Sequence, residues 1–190
     1  MSLVSKRSEI TYGSSTLLSG TVTGATMDLE AAPFPYTAWT KVGEVDPGAF
    51  SLRAKPDRNT RYRLVSNGIT SEAKTVYVHP AAKTHRRHLS RHRYRVSFAL
   101  VGPADLPYAG RRVYFYRRGR RVAVAHLKAR RPGVLRAAAT LKLPKPTTRL
   151  VACIHKPSAD AWGRPRSLDL RCGANRLSGS SRPGGRRARP

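Results

Sequence analysis

The sequence predicts an all-β fold, arranged as two tandem antiparallel β-sandwiches. Three observations predict it. The chain has 190 residues, about right for two modules of roughly 90 residues each. Nothing in the first half repeats at i, i+3, i+4 for long enough to make a helix. Short alternating runs are instead broken by turn residues about every eight to twelve positions, which is the rhythm of a sandwich.

The elements follow in order. Thr16 to Thr23 is the first clear run, with Leu18 and Val22 on one face. Met27-Asp28-Leu29 starts a second and Ala38 to Glu44 a third. Asp46-Pro47-Gly48 is a turn, proline fixing φ and glycine permitting the reversal. Phe50, Leu52 and Ala54 then point opposite to Ser51, Arg53 and Lys55. Arg61 to Ser66 carries Tyr62 and Leu64, and Asn67-Gly68 is a hairpin signal because both positions tolerate positive φ. Lys74 to Val78 closes the first module, predicted to span 1–80.

The second module, predicted over 81–172, repeats the plan. Pro80 to Ser90 reads as a polar, basic linker. Tyr94, Val96, Phe98 and Leu100 alternate with Arg95, Ser97, Ala99 and Val101. Arg112 to Tyr116 and Arg121 to Leu127 flank the turn Arg117-Arg118-Gly119-Arg120. Leu135, Ala137, Ala139, Leu141 and Leu143 share one face, opposite Arg136, Thr140 and Lys142. Arg149 to His155 and Ser167 to Cys172 complete the set. The stretch 173–190 is rich in Ser, Gly, Pro and Arg and reads as a disordered basic tail.

The halves also align with each other. Gly48-Ala49-Phe50-Ser51-Leu52 through Thr60-Arg61-Tyr62-Arg63-Leu64-Val65 matches Gly133-Val134-Leu135 through Thr148-Arg149-Leu150-Val151-Ala152. In both, a glycine opens a strand, a proline loop turns the chain, and a Thr-Arg pair starts the next strand. An internal duplication of one supersecondary plan accounts for this.

The stretch Ile10-Thr11-Tyr12-Gly13-Ser14-Ser15-Thr16-Leu17-Leu18-Ser19-Gly20-Thr21-Val22 resembles the first strands of bacterial immunoglobulin-like (fibronectin-III-like) repeats in secreted proteins of high-GC Gram-positive bacteria. So does Pro56-Asp57-Arg58-Asn59-Thr60-Arg61-Tyr62-Arg63. The likeness covers residues 8–79 well and the second module in outline. It implies an immunoglobulin-like sandwich, an exported context, and a role as spacer or binding module. It carries no catalytic residues.

Charge narrows the class of partner. Lys and Arg total 37 against 10 Asp and Glu, a net of +27. Residues 1–80 hold 9 basic and 7 acidic side chains, whereas residues 81–190 hold 28 basic and 3 acidic. Such a field attracts polyanions: acidic surface polymers, acidic proteins or nucleic acid. High-GC coding would also favour Arg, Ala, Gly and Pro, but it does not explain a near-neutral first half.

The candidate polyanion site is the hairpin Arg111-Arg112-Val113-Tyr114-Phe115-Tyr116-Arg117-Arg118-Gly119-Arg120-Arg121. Arg111, Arg112, Arg117, Arg118, Arg120 and Arg121 offer guanidinium forks suited to phosphate, sulfate and carboxylate. Tyr114 and Tyr116 offer rings that stack on bases or sugars. The competing reading places the tyrosines in the core and leaves the arginines as a solvated rim. No helix-turn-helix, zinc finger or RNP-type strand accompanies the charge, so nucleic-acid binding, the alternative function, would be non-specific.

Cys153 and Cys172 are centred on Trp162 and Gly163, so folding the flanking strands about that centre sets them opposite each other. A disulfide is expected, closing a loop worth roughly 3 kcal/mol, and it points to an oxidising compartment. Met1 to Arg7 lacks an apolar signal-peptide core, which taken alone points to the cytoplasm. The cysteine pair and the resemblance point to a secreted or cell-surface protein. No run approaches the length of a membrane span. His85, His88 and His92 would share one helical face, but arginines surround them and no carboxylate orients them, so no metal or other cofactor is expected. The carboxylates of both halves are scattered and no catalytic motif is present, so no enzymatic activity is expected.

Overall fold

The computed structural model describes residues 1–144 and 149–154, and every regular element among them is a β-strand. In the first half these are β1 (Ser2–Ser5), β2 (Glu9–Thr11), β3 (Thr16–Val22), β4 (Met27–Pro33), β5 (Thr40–Val45), β6 (Gly48–Ala54), β7 (Thr60–Ser66), β8 (Ile69–Thr70) and β9 (Lys74–His79). The second half supplies β10 (Ala81–Ser90), β11 (Arg93–Val101), β12 (Arg112–Arg117), β13 (Arg120–His126), β14 (Lys128–Arg131), β15 (Val134–Lys142) and β16 (Val151–Ile154).

Each half builds two sheets from its own strands. In the first, the order β1-β3-β6 makes one sheet and β2-β9-β7-β4-β5 the other, with β8 hanging from β7. In the second, β10-β11-β15-β14 and β13-β12-β16 form the pair. The pairing scheme repeats: β3 with β6 as β11 with β15, β4 with β7 as β12 with β16, and β4 with β5 as β12 with β13. The long duplicated stretch thus crosses from one sheet to the other in both halves. This is the immunoglobulin-like division of strands.

Alternation decides which side of each strand is apolar. Leu18 and Val22 of β3 meet Leu29 and Ala31 of β4, Tyr62 and Leu64 of β7, and Val76 and Val78 of β9 in one buried cluster. Phe50, Leu52 and Ala54 of β6 pack against it from its rim. Tyr94, Val96, Phe98 and Leu100 of β11 face Val113 and Phe115 of β12 and Leu135, Ala137 and Leu141 of β15 in the second cluster.

The residues of the loop from Pro56 to Thr60 have a structural role. Thr60 Oγ1 donates to the Arg58 carbonyl at 2.8 Å, and the buried Asn59 Oδ1 accepts from the Val78 amide at 2.8 Å. These bonds tie the β6–β7 loop to β9. Asn67-Gly68, at φ 45° and 79°, makes the tight reversal from β7 to β8 that the sequence predicts.

One expectation needs correcting. Residues 81–90 do not link two modules; they form β10, paired with β11 along its length with a bulge near Ser90. Only the buried Pro80 separates β9 from β10. The run shows no strand pattern because it is an edge strand, and the charged residues that blunt an edge also erase its hydrophobic alternation. Across the junction, Tyr12 packs against both cores. Arg58 Nη1 and Nη2 reach Asp105 Oδ2 and Oδ1 at 3.2 and 3.3 Å.

Candidate functional site

The predicted hairpin is present as β12 and β13, joined by Arg118 and Gly119 at φ 49° and 76°. Two consecutive positive φ values give the tight reversal whose twist suits a two-residue hairpin. Val113 and Phe115 point inward and are fully buried. Arg112, Tyr114 and Tyr116 therefore lie on the outward face, and neither tyrosine belongs to the buried core. The tyrosines are therefore not core residues, and the exposed Arg112, Arg118, Arg120 and Arg121 form a solvated rim beside them.

The register sorts seven of the eight predicted residues into two groups, with Tyr114 between them. Arg117 is directly opposite Arg120 and Tyr116 directly opposite Arg121, so four arginines gather with Tyr116 at the tip. The Arg121 guanidinium carbon sits 6.0 Å from the Tyr114 ring centre, at the outer limit of a cation–π contact. Arg112 lies opposite His126 at the far end of the strand, roughly 17 Å from Arg117 along the backbone. Arg111 precedes it in the loop, where its carbonyl accepts from the Leu127 amide at 2.8 Å. Exposed Val122 and Val124 stand on β13 between the two groups. The structure thus makes a compact tip from Tyr116, Arg117, Arg118, Arg120 and Arg121, and leaves Arg111 and Arg112 apart.

Little negative charge offsets this surface. Asp105 is the one carboxylate in the sequence from 81 to 154, and it is engaged by Arg58 of the first half. The first half is arranged differently. Arg63 Nε meets Glu30 at 2.7 Å, Lys74 meets Glu72 at 2.6 Å, and Lys41 meets Asp28 at 2.9 Å and also pairs with Glu44. Those two contacts raise the Lys41 pKa, that to Glu44 most. Most carboxylates of the first half are distributed as surface ion pairs.

Cys153 lies on β16 opposite Tyr114 and is fully buried. Its neighbours Ala152 and Ile154 enter the core, so Cys153 belongs to the outward side of the sheet. Cys172, the predicted strand Ser167 to Cys172 and the tail 173–190 lie outside the described residues. The three histidines do not share a face. His85 is opposite Ser97, His88 is opposite Tyr94 with ring centres 5.0 Å apart, and His92 lies in the turn between β10 and β11. Among the described residues no group of three His, Cys, Asp or Glu could hold a metal ion, and no helix is long and apolar enough to cross a membrane.

Two surface features escaped the sequence reading. The first is Phe34, Tyr36 and Trp39 in the β4–β5 loop, whose signal is three aromatics within six positions. Arg61 stacks on Tyr36 at 4.3 Å and Arg63 on Trp39 at 4.0 Å, so guanidinium groups already cover those two rings. Burial raises the pKa of the Tyr36 hydroxyl, against the opposing pull of Arg61. The second is a concavity of about 310 Å³ on the outer face of the β10-β11-β15-β14 sheet, lined by four arginines. Strand alternation could have put Arg95 and Arg136 on one face, but β10 and β14 were unrecognised.

No family model and no curated protein sequence matches the chain. Among solved structures, the human OSCAR ligand-binding domain is similar over 84% of this chain and 91% of that one, at 15% identity and a TM-score of 0.28. The fold assignment therefore stands on the strand pairing and the core.

Proposed function

We propose that the chain is a non-catalytic, exported module of the bacterial immunoglobulin-like kind, a spacer or adhesion element whose second half docks on an acidic polymer or acidic protein surface. The observation that carries this reading is the hairpin tip. Arg118 holds a left-handed backbone conformation that costs a non-glycine residue about 1–2 kcal/mol. In the turn from β7 to β8, which has the same two consecutive positive φ values, that position is Asn67, a residue that tolerates the conformation. A charged side chain kept at the tip against local preference, between Arg117 and Arg120, is a binding device. The dispersed, ion-paired carboxylates of the first half support a non-catalytic role.

A Cys153–Cys172 bridge on the outward side of β16 belongs to this reading and requires an oxidising compartment. A mass increase by thiol alkylation without prior reduction would refute the bridge. The alternative, non-specific nucleic-acid binding, draws on Tyr114 and Tyr116, whose outward rings could stack on bases.

The test is salt-gradient elution of the full chain from immobilised heparin. The wild type should hold to about 0.3 M salt or beyond, and Arg117→Ser/Arg118→Asn/Arg120→Ser should elute markedly earlier, because each guanidinium lost removes one counterion-releasing contact. Arg118→Asn alone should also melt a few degrees higher, since it relieves the turn. Elution of the wild type in dilute salt overturns the polyanion reading. Equal retention by the triple variant removes the hairpin from it. Preference for single-stranded DNA over heparin at equal charge favours the alternative.

A further inference from the structure

The four-arginine concavity lies on the face of the second half opposite the hairpin. Its floor is one row across three strands, His85 of β10, Ser97 of β11 and Ala138 of β15, set side by side by the register. One wall is the next row along the strands, where Arg87 stands directly opposite Arg95. The other wall holds Arg136, directly opposite Lys128, with Arg130 reaching in from the bulge of β14. The two walls are four residues apart on β11, or about 13 Å, so side chains of arginine length can close on a group between them.

Like charges directly opposite each other destabilise a strand pair, and this face has three such pairs, Arg87 with Arg95, Arg93 with Lys142 and Lys128 with Arg136. Among the described residues no carboxylate pairs with Arg87, Arg95, Arg130 or Arg136. No aromatic ring other than the His85 imidazole lines the concavity, so it lacks a platform for stacked bases. A small floor ringed by planar forks suits a compact, tetrahedral oxyanion better than an extended chain.

We infer that this concavity is a second anion site, which seats a sulfate or phosphate ester group carried on a glycan. It rests on the polyanion reading of the second half but does not need the hairpin. Walls of guanidinium bind by geometry as well as charge, so lysine should not replace them.

The test is calorimetric titration of the full chain with two compact sugar-like polyanions, sucrose octasulfate and inositol hexakisphosphate, at about 0.15 M salt, where long-range attraction is screened. At least one should bind, and the tighter of the two names the ester. Arg95→Lys/Arg136→Lys, which keeps every charge at exposed positions, should weaken binding about tenfold while heparin elution stays the same. Ala138→Glu, which places a carboxylate on the floor, should abolish binding and raise the melting temperature by relieving the repulsion. Absence of binding by both compounds, or equal binding by the lysine variant, overturns the site even where heparin retention upholds the polyanion reading. Loss of octasulfate binding in the hairpin triple variant also overturns it. Competition by duplex DNA at equal charge, with the same arginine dependence, overturns the glycan assignment.

Discussion

Gly48 and Gly133 occupy matching places in the duplicated stretch, and replacing each with alanine tests both the local physics and the division of the chain. Both have positive φ, 118° and 70°. A Cβ on Gly48 would meet nothing within 4 Å, so Gly48→Ala carries backbone strain alone, about 1–3 kcal/mol. A Cβ on Gly133 would fall 2.2 Å from the Gly102 carbonyl oxygen, a backbone atom that cannot swing aside. Relief would disturb the bond from the Gly102 amide to the Gly133 carbonyl, 2.9 Å long. Strain of about 1–2 kcal/mol and a weakened hydrogen bond of about 1 kcal/mol set the cost at about 2–3 kcal/mol, before the steric displacement is added. For domains of this size, about 1 kcal/mol lowers the midpoint by roughly 4–8 °C. Scanning calorimetry should therefore show two transitions in the parent chain. Gly48→Ala should lower one by several degrees, and Gly133→Ala should lower the other by ten or more, each leaving its partner transition in place. A single transition moved by both variants would refute the reasoning that the two cores unfold separately. A Gly133→Ala variant as stable as the parent would refute the close approach to Gly102.

Three further outcomes are expected. Burial, with the Asp57 charge adding to it, pushes the Tyr62 hydroxyl pKa up to about 12. Its neutral form is thus favoured in the fold, so its contribution is intact below pH 10 and is lost between about pH 10 and 12, a change of about 2–3 kcal/mol. Denaturant titrations across that range should show the loss, and Tyr62→Phe should remove that part of it. Phe115 is fully buried beneath the hairpin, so Phe115→Ala should cost about 3–5 kcal/mol by urea denaturation and lower only the second transition. Arg58 and Asp105 bridge the halves with side chains 27% and 61% exposed, and a double-mutant cycle by thermal denaturation should find their coupling below about 1 kcal/mol.

How much of this was legible follows from what each strand has to bury. β11 and β15 alternate cleanly because one face meets the core and the other solvent, so Tyr94, Val96, Phe98, Leu135 and Leu141 announce themselves. Asn67-Gly68 and Arg118-Gly119 were readable because turns need positive φ. β10 and β14 were not readable. Nearly every residue in them is exposed, and an edge strand that contributes no core side chain leaves no periodic trace. The candidate site was half legible for the same reason. The hairpin is contiguous in sequence, whereas the concavity draws on four strands and exists only once the register sets His85, Ser97 and Ala138 in one row.

Coding bias toward arginine would scatter guanidinium groups over any exposed position, but the two halves place their charges by different rules. In the first half, Glu30 stands directly across from Arg63, and the one pair of directly opposed like charges among its described strands, Asp28 and Glu44, is bridged by Lys41. In the second, Arg87 faces Arg95, Arg93 faces Lys142, Lys128 faces Arg136 and Arg117 faces Arg120. Each like-charge pair works against folding by up to about 1 kcal/mol, so four of them are a sizeable fraction of the roughly 5–15 kcal/mol that holds a domain together. A bound polyanion reverses the sign of that term, turning repulsion between neighbours into joint attraction for a third charge. The second half should therefore gain stability from an anionic ligand in proportion to the repulsion it carries when alone, and the first half, whose charges are already matched, should gain little.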